Sequence, residues 1–459
     1  MNGRYKTALR MLPILSLLLQ TTPMRLSAAE ATPTGEVVTV QGQTTEKEKT
    51  APGTAKQDQL LTLNQCIEIA LNKNPTILAS IYGVDVYRSR VGQARYNYYP
   101  QLSASAAYTR TDPLSSQTST FGSSAAYDQY TSSISLNQNI LDFGKTSQQV
   151  DISKYNLESS RSDLNTTQDA VILSVKQSYY GVLKAKRDRD VAADVLKQYQ
   201  LHLEQAKGFY DVGTKAKIDV IKAEVDLSNA KLSLINAENA LNIAWVTLNN
   251  VMGTPDAPDY TIEDNLSFQQ YAITLEEAKA RAFENRSDLK SIIAKRQAAE
   301  TNISLARSGY YPVLSGFANY NWAGETTSTL DHSWNAGVLL TVPLFSGFLT
   351  VHQAAEAKSN LYILKANEES LRQQILLDVR QAYLNLQAAE ASIETAELAS
   401  RQAKENLDLA NGRYAAGVGS PIEVSDAFAT YVAAQANYTS ALSNYKIDQA
   451  TIEKAMGVR

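Results

Sequence analysis

The segment that decides the fold runs from residue 212 to residue 252 and reads VGTKAKIDVIKAEVDLSNAKLSLINAENALNIAWVTLNNVM. After Gly213 its apolar residues recur at alternating spacings of three and four, and large and small residues alternate, at Val220, Ala223, Leu227, Ala230, Leu234, Ala237, Leu241, Ala244, Leu248 and Val251. This is the heptad pattern of a coiled coil, and the small residues indicate that the helices approach closely. The segment therefore predicts a long helix that follows a turn.

The residues before Gly213 obey the same rule, so we expect the chain to fold back on itself there. The seam positions ahead of the turn are Leu196, Tyr199, Leu203, Ala206 and Tyr210. Residues 145–209 contain no Pro, and some 60 helical residues would form a rod on the order of 90 Å. The same pattern recurs 204 residues later, where Gly417 takes the place of Gly213. Two long helical hairpins are predicted, one turning at each glycine.

Between these helices, two segments in each half alternate with period two instead. They follow Tyr98-Tyr99-Pro100 in the first half and Tyr310-Tyr311-Pro312 in the second. The alternating positions are Leu102, Ala104, Ala106, Tyr108; Tyr130, Ser132, Ile134, Leu136, Ile140; Leu314, Gly316, Ala318, Tyr320, Trp322; and Trp334, Ala336, Val338, Leu340, Val342. Such alternation is typical of half-buried strands. Four strands are predicted, two in each half.

The order of these patterns indicates an internal duplication. Tyr98 and Tyr310 are 212 positions apart, whereas Met252 and Met456 are 204 positions apart. We predict repeat 1 at 59–253 and repeat 2 at 273–457, each with a short helix, two strands and a long helical hairpin. Residues 254–272 would link them.

The beginning of the chain has the pattern of a targeting signal. Arg4, Lys6 and Arg10 precede a short apolar run, and small residues follow it at 27–31. This pattern predicts a secretory signal peptide over 1–29. Residues 30–58, rich in Thr, Gly, Pro, Gln, Lys and Glu, are predicted to be a disordered periplasmic leader. The only cysteine, Cys66, lies far from the apolar run, so we expect a buried core thiol and no lipid anchor.

Composition excludes several classes of function. The chain has 43 Lys and Arg against 47 Asp and Glu, a formal charge of −4, which argues against nucleic acid as a partner. One Cys and three His give no disulfide and no usual metal site, so we expect no metal and no cofactor. Nucleophile, phosphate-loop and dinucleotide motifs are missing from the sequence, so no enzyme activity is predicted.

Four strands are too few for a closed membrane barrel, because the smallest such barrels have eight. Several copies would have to contribute, and three copies would give twelve strands and an enclosed lumen. Six aromatic residues flank or lie in the strands: Tyr98, Tyr99, Tyr310, Tyr311, Trp322 and Trp334. They fit a belt at the membrane interface, and ordinary core packing is the alternative.

From Leu61 to Gly457 the chain resembles the TolC-like outer-membrane efflux proteins. The resemblance rests on the duplicated half, the Tyr-Tyr-Pro-x-Leu motifs, Leu-Asp-Phe-Gly at 141–144, Pro-Leu-Phe-Ser-Gly at 343–347, and the two turn sequences beginning at Tyr210 and Tyr414. It implies an α+β membrane protein, a homotrimer in which a twelve-stranded transmembrane β-barrel in outer-membrane lipid is continuous with a long-helix coiled-coil α-barrel. The chain would lie in the outer membrane of a Gram-negative bacterium and extend into the periplasm.

The resemblance also implies partners and a function. A periplasmic adaptor (membrane fusion) protein would connect the trimer to an inner-membrane transporter of the RND or ABC type. The trimer would passively conduct substrates in tripartite efflux or type I secretion. The alternative is a secreted coiled-coil structural or adhesive protein, in which the alternating segments would form small sheets.

Further expectations concern the turns. In the resembling family, acidic side chains just past the turns ring a closed entrance, and the matching positions are Asp219, Glu423 and Asp426; a solvated helix face is the alternative. Tyr414 matches a tyrosine that latches the entrance, with Asp219 as its acidic acceptor. The family's latching arginine is replaced by Gly419, so we expect an entrance that opens more readily.

The turn residues themselves are candidates for contact with the adaptor. The candidates are Gly213, Thr214, Gly417, Gly419 and Ser420. A purely structural role is the alternative for the glycines, because glycine permits a left-handed turn at a helix C-terminus.

Overall fold

A computed structural model describes residues 60–112, 126–257 and 260–459. The predicted signal peptide and leader lie outside these residues. The first half contains β1 (Leu60–Leu61), α1 (Leu63–Lys73), α2 (Pro75–Ala94), β2 (Gln101–Thr111), β3 (Tyr127–Leu141), α3 (Lys145–Asp211) and α4 (Lys217–Val251). The second half contains β4 (Thr261–Ile262), α5 (Leu275–Asn285), α6 (Ser287–Arg307), β5 (Val313–Gly324), β6 (Asp331–Thr341), α7 (Leu349–Ala415) and α8 (Pro421–Ala455).

Local sequence signals set the starts of several helices. Thr62 and Gln65 form a reciprocal capping box at the start of α1. Thr274 caps α5, and Ser420 caps α8 directly before Pro421, which occupies the first helical position. These caps satisfy backbone N–H groups that have no partner inside the helix.

The long helices form the two predicted hairpins. Helices α3 and α7 have 67 residues each, and α4 and α8 have 35 each. A 67-residue helix is about 100 Å long, so the shorter partner covers roughly half of it. The remainder of α3 packs against α2 and α6, and α7 packs against α6. Within the described residues, none of the helices is both long enough and apolar enough to cross a membrane.

The four predicted strands form one antiparallel sheet in the order β2-β3-β5-β6. Leu136 of β3 lies opposite Leu102 of β2 and Ala318 of β5, and a bulge interrupts the β3–β5 register between Asn139 and Leu141. Strands β2 and β6 are its two edges. The pair of two-residue strands β1 and β4, which is parallel, is not predicted by the sequence pattern, because two residues carry no periodicity.

The main core lies where the short helices, the linker and the two hairpins meet. Its fully buried residues include Tyr179, Tyr445 and Ile375. Cys66 is completely buried there, which confirms the prediction of a core thiol, and burial raises its pKa to about 11. A second, smaller core lies near the hairpin turns around Tyr414 and Phe428.

Candidate functional site at the hairpin turns

Both hairpins turn through a glycine in a left-handed conformation. Gly213, between α3 and α4, has φ +77°, and Gly417, between α7 and α8, has φ +78°. In each turn the next amide donates back to a carbonyl in the last helical turn, Thr214 to Phe209 at 2.9 Å and Val418 to Arg413 at 3.1 Å. This is the glycine-terminated helix end in which carbonyls without helical partners are satisfied. Gly213 and Gly417 therefore have the structural role given above as the alternative, because each ends a helix in a left-handed turn.

The second turn is tighter than the first at Gly419. The Gly419 amide donates to the Arg413 carbonyl at 2.9 Å, whereas the corresponding Lys215 amide lies 3.3 Å from the Phe209 carbonyl. A Cβ atom on Gly419 would lie 2.7 Å from the backbone N of Tyr414, which is closer than atoms can approach. An arginine, which the resemblance places at this position, does not fit the turn as it is folded.

Tyr414 is the centre of the small core beneath the turns. It is 1% exposed, and its ring centroid lies 4.6 Å from that of His202 and 5.7 Å from that of Phe209. Its hydroxyl has no hydrogen-bond partner within the described residues, so the bond to Asp219 is not formed there. Burial, and then the charge of Asp219, raise the pKa of Tyr414.

The seam ahead of the first turn differs from its prediction at one position. Tyr210, predicted to lie in the seam, is 44% exposed. Its neighbours Phe209 and His202 pack against Tyr414 instead. The residues of α3 that contact Tyr414 therefore lie one position before the predicted seam residues Leu203 and Tyr210.

The three predicted acidic residues have different environments. Asp219 is half-buried in the first turn of α4, whereas Glu423 and Asp426 are exposed near the start of α8. A helix N-terminus favours negative charge, so these positions are favourable for acids in one chain. Glu423 accepts from Arg413 Nε at 3.3 Å. Within the described part of the chain, no three acidic, His or Cys side chains are close enough together to hold a metal.

Side chains that the sequence did not single out join the two hairpins near their turns. Lys215 Nζ donates to the Gly419 carbonyl at 3.4 Å, and Ser425 Oγ donates to Asp226 Oδ2 at 2.6 Å. The sequence held one signal for the first contact, since Lys215 and Gly419 are 204 positions apart and occupy the same place in their turns. It held none for the second.

The residues predicted to contact an adaptor differ in accessibility. Gly213, Thr214 and Gly417 are exposed, and Ser420 is half-buried and caps α8. Gly419 is buried, because the turn folds back onto the end of α7. Its burial is at odds with direct contact by a partner.

Five of the six aromatic residues assigned to the membrane interface are exposed in the chain. The exposed fractions are 51% for Tyr98, 64% for Tyr99, 52% for Tyr310 and Tyr311, and 73% for Trp334. Trp322 is half-buried against Tyr320, with ring centroids 4.6 Å apart. These five side chains are therefore accessible in the single chain, and their place at a membrane interface stays a prediction.

Comparison with known proteins gives a consistent result. The family model described as "Outer membrane efflux protein" matches residues 66–254 and 279–458. The chain is 24% identical to the outer membrane protein TolC of Escherichia coli over 431 residues, which cover 88% of this chain and 84% of that protein. It is 25% identical to the TolC of Vibrio cholerae over 303 residues, which cover 63% of this chain and 68% of that protein.

Solved structures share the fold. CusC superposes with a TM-score of 0.76 at 17% identity, covering 90% of this chain and 99% of CusC. The outer membrane protein VceC of Vibrio cholerae superposes with a TM-score of 0.73 at 18% identity, covering 86% and 96% of the two chains. The family match decides against a secreted structural or adhesive protein. The chain belongs to the outer membrane efflux protein family, whose members are transport proteins of the outer membrane and not enzymes.

Proposed function

We propose that three copies of this chain form one outer-membrane channel through which exported substrates pass without energy input from the channel itself. The two tandem halves of each chain, 59–253 and 273–457, would each supply two strands to a twelve-stranded transmembrane barrel and one hairpin to a periplasmic tunnel. A periplasmic adaptor (membrane fusion) protein would join the tunnel to an inner-membrane transporter of the RND or ABC type. The name of a 24% identical relative from Pseudomonas putida, "Probable efflux pump outer membrane protein TtgC", supports this role.

The observation that carries the proposal is that α4 has two apolar faces. Its buried residues Ala223, Ala230 and Leu248 belong to the face that packs within the chain. Successive helical residues are rotated by about 100°, so a second set lies on the opposite side. This exposed stripe consists of Ile218, Ile221, Val225, Leu232, Ile235, Ile243 and Val246. An exposed apolar stripe of this size on one helix favours burial against another protein. We propose that the protein covering it is a second copy of this chain.

The free edges of the sheet support the same assembly. Strand β2 lies at one edge and β6 at the other, so β2 of one copy can pair with β6 of the next. Three sheets joined in this way would close on themselves with no edge left. Twelve strands exceed the minimum for a membrane barrel, and the exposed tyrosines 98, 99, 310 and 311, with Trp322 and Trp334, would lie at the lipid interface.

The hairpin turns would form the entrance. A ring of nine carboxylates, three from each chain, would favour cations at the entrance; they belong to Asp219, Glu423 and Asp426. The ion pair of Glu423 with Arg413 would reduce the negative charge of this ring. Tyr414 would stabilise the closed form by joining the hairpins, and Gly213, Thr214, Gly417 and Ser420 would meet the adaptor.

The mass of the protein in detergent tests the assembly. Native mass spectrometry should give three copies for the wild type. Ile235→Lys places a charge in the exposed stripe of α4 and should yield single chains, because burying an unpaired charge between copies is costly. The control Glu238→Lys, on the exposed flank of the same helix, should remain trimeric. A single-chain wild type would refute the proposal.

A further inference from the structure

The two hairpin turns are built alike, but they carry different residues at one corresponding position. Lys215 lies two residues after Gly213, and Gly419 lies two residues after Gly417. Both backbone amides point back to the last turn of the preceding helix, to Phe209 and to Arg413. The first turn therefore carries a positive charge where the second has no side chain.

The Lys215 side chain reaches across to the second turn. Its Nζ donates to the Gly419 carbonyl at 3.4 Å and lies 5.8 Å from the centroid of the Tyr414 ring. Lys215 is half-buried, whereas Lys217, two residues on, is exposed. A lysine ammonium above an aromatic ring is attracted to it, and a charged donor strengthens the bond to a carbonyl.

The position of the charge has a steric reason. Gly419 cannot carry a side chain in this turn, because a Cβ atom would meet the backbone of Arg413 at 2.9 Å and of Tyr414 at 2.7 Å. The wider first turn accommodates a side chain at the corresponding place.

From this geometry we propose that Lys215 holds the closed entrance by clamping the first hairpin turn to the second within each chain. The proposal rests on the channel proposed above and assigns the cationic part of its closure to the first turn. Helices α4 and α8 contact each other in few places within the described residues. The side-chain hydrogen bond between them that lies nearest to Lys215 in the sequence joins Ser425 to Asp226. Any motion that separates the two turns must therefore break the Lys215 contacts. Lys215 acts through Gly419 and Tyr414, so it is a positioning residue.

Single-channel recording in planar lipid bilayers tests the clamp with matched variants. Lys215→Met should raise the opening frequency about fivefold, which corresponds to about 1 kcal/mol for the loss of one long, partly exposed hydrogen bond, with the open conductance unchanged. Lys215→Arg should retain the wild-type frequency. The control Lys217→Met removes a lysine charge at the first residue of α4, two positions on, and should also behave as the wild type.

A second measurement separates the clamp from a general change in charge or folding. Amide hydrogen exchange of the detergent-solubilised assembly should become faster at 413–420 in Lys215→Met and stay unchanged in Lys217→Met. Equal opening frequencies in the two variants, or unchanged exchange at 413–420 in Lys215→Met, would overturn the clamp. A wild-type protein that passes no current would instead refute the proposed channel function. The hydrogen-exchange experiment would then still test whether Lys215 holds the two turns together.

Discussion

At the scale of single residues, Gly253 and Gly457 determine how the hairpins join the short helices. Both have positive φ, +72° and +69°. A Cβ atom at Gly253 would lie 2.6 Å from the Lys73 carbonyl oxygen, and one at Gly457 would lie 2.8 Å from the Arg286 amide nitrogen. The end of each hairpin therefore approaches the junction between two short helices so closely that only glycine fits.

Gly253→Ala and Gly457→Ala should each destabilise the protein by about 2 kcal/mol, because the left-handed conformation and the backbone contact both oppose a methyl group. Thermal unfolding followed by circular dichroism would show this as a lower midpoint. Gly83→Ala is the control, since Gly83 lies within α2 and no atom of the described residues lies within 4 Å of its Cβ position. That change should stabilise the helix by about 0.5 to 1 kcal/mol. Lower midpoints in all three variants would contradict the argument from close approach.

Asp142 fixes the start of α3, just after β3. Its carboxylate accepts from the Thr146 amide at 2.9 Å, from the Gly144 amide at 3.2 Å and from Asn139 Nδ2 at 2.8 Å, and also from the Thr146 hydroxyl. Burial raises the pKa of Asp142, but these hydrogen bonds outweigh it and the pKa is lowered. A lowered carboxyl pKa stabilises the folded state above the unfolded-state pKa of about 3.9, and this contribution is lost as pH falls through the lower folded pKa.

Asp142→Ala should therefore cost about 1 kcal/mol at pH 7 and progressively less below about pH 4, when the wild-type carboxyl also becomes neutral. The comparison variant is Ser346→Ala in the second half, where Ser346 Oγ lies 3.4 Å from Thr350 Oγ1 and makes a weaker contact. Its effect should be smaller and independent of pH. Unfolding midpoints of both variants across pH 3 to 7 would check this, and an Asp142→Ala effect that does not change with pH would count against it.

Sequence reasoning worked for residues whose role is local. A glycine between two helical patterns predicts a left-handed turn, and Gly213 and Gly417 both adopt it. Lys215 and His202 were not found, because their contacts join positions about 200 residues apart or more. Periodicity describes which face of one helix is apolar and says nothing about what that face meets.

At the scale of elements, the segment between the halves is held by side chains of the long helices. The Tyr445 hydroxyl donates to the Gln269 carbonyl at 2.9 Å and accepts from the Tyr271 amide at 2.8 Å. The Tyr179 hydroxyl donates to the Glu263 carbonyl at 2.7 Å. These tyrosines of α8 and α3 replace the hydrogen bonds that an irregular segment cannot make within itself.

Tyr445→Phe should loosen this segment, because the Tyr271 amide and the Gln269 carbonyl lose a partner beside a buried ring. Limited proteolysis should cut within 264–272 about tenfold faster than in the wild type if the change costs about 1.4 kcal/mol. Tyr438→Phe, a half-buried tyrosine on the same helix that does not bond this segment within the described residues, serves as the control. Equal cleavage rates in the two variants would show that the Tyr445 hydroxyl does not hold this segment in place.

The sequence predicted the long elements better than the short ones. Heptad spacing over 35 residues predicted α4, and alternation predicted all four strands of the sheet. The paired strands β1 and β4 were missed, since Leu60–Leu61 and Thr261–Ile262 are defined by their pairing and not by a pattern. The residues between the halves were expected to be only a linker, whereas Leu266 is buried in the main core.

At the scale of the whole molecule, two kinds of surface lack a partner within the residues that the structure describes. One is the exposed apolar stripe of α4, and the other is the pair of sheet edges at β2 and β6. Strand counting predicted from the sequence that one chain is insufficient for a barrel, but it could not show which surfaces meet. The stripe becomes visible only when the packed face of α4 is known, because both faces are apolar in the sequence.

Ionic current through the wild-type protein, inserted into a planar lipid bilayer under an applied voltage, tests the central claim most directly. If three copies enclose a water-filled path, the current should rise in discrete steps of uniform size and favour cations, because acidic residues surround the entrance. Protein that inserts into the bilayer but passes no current at any voltage would contradict the account.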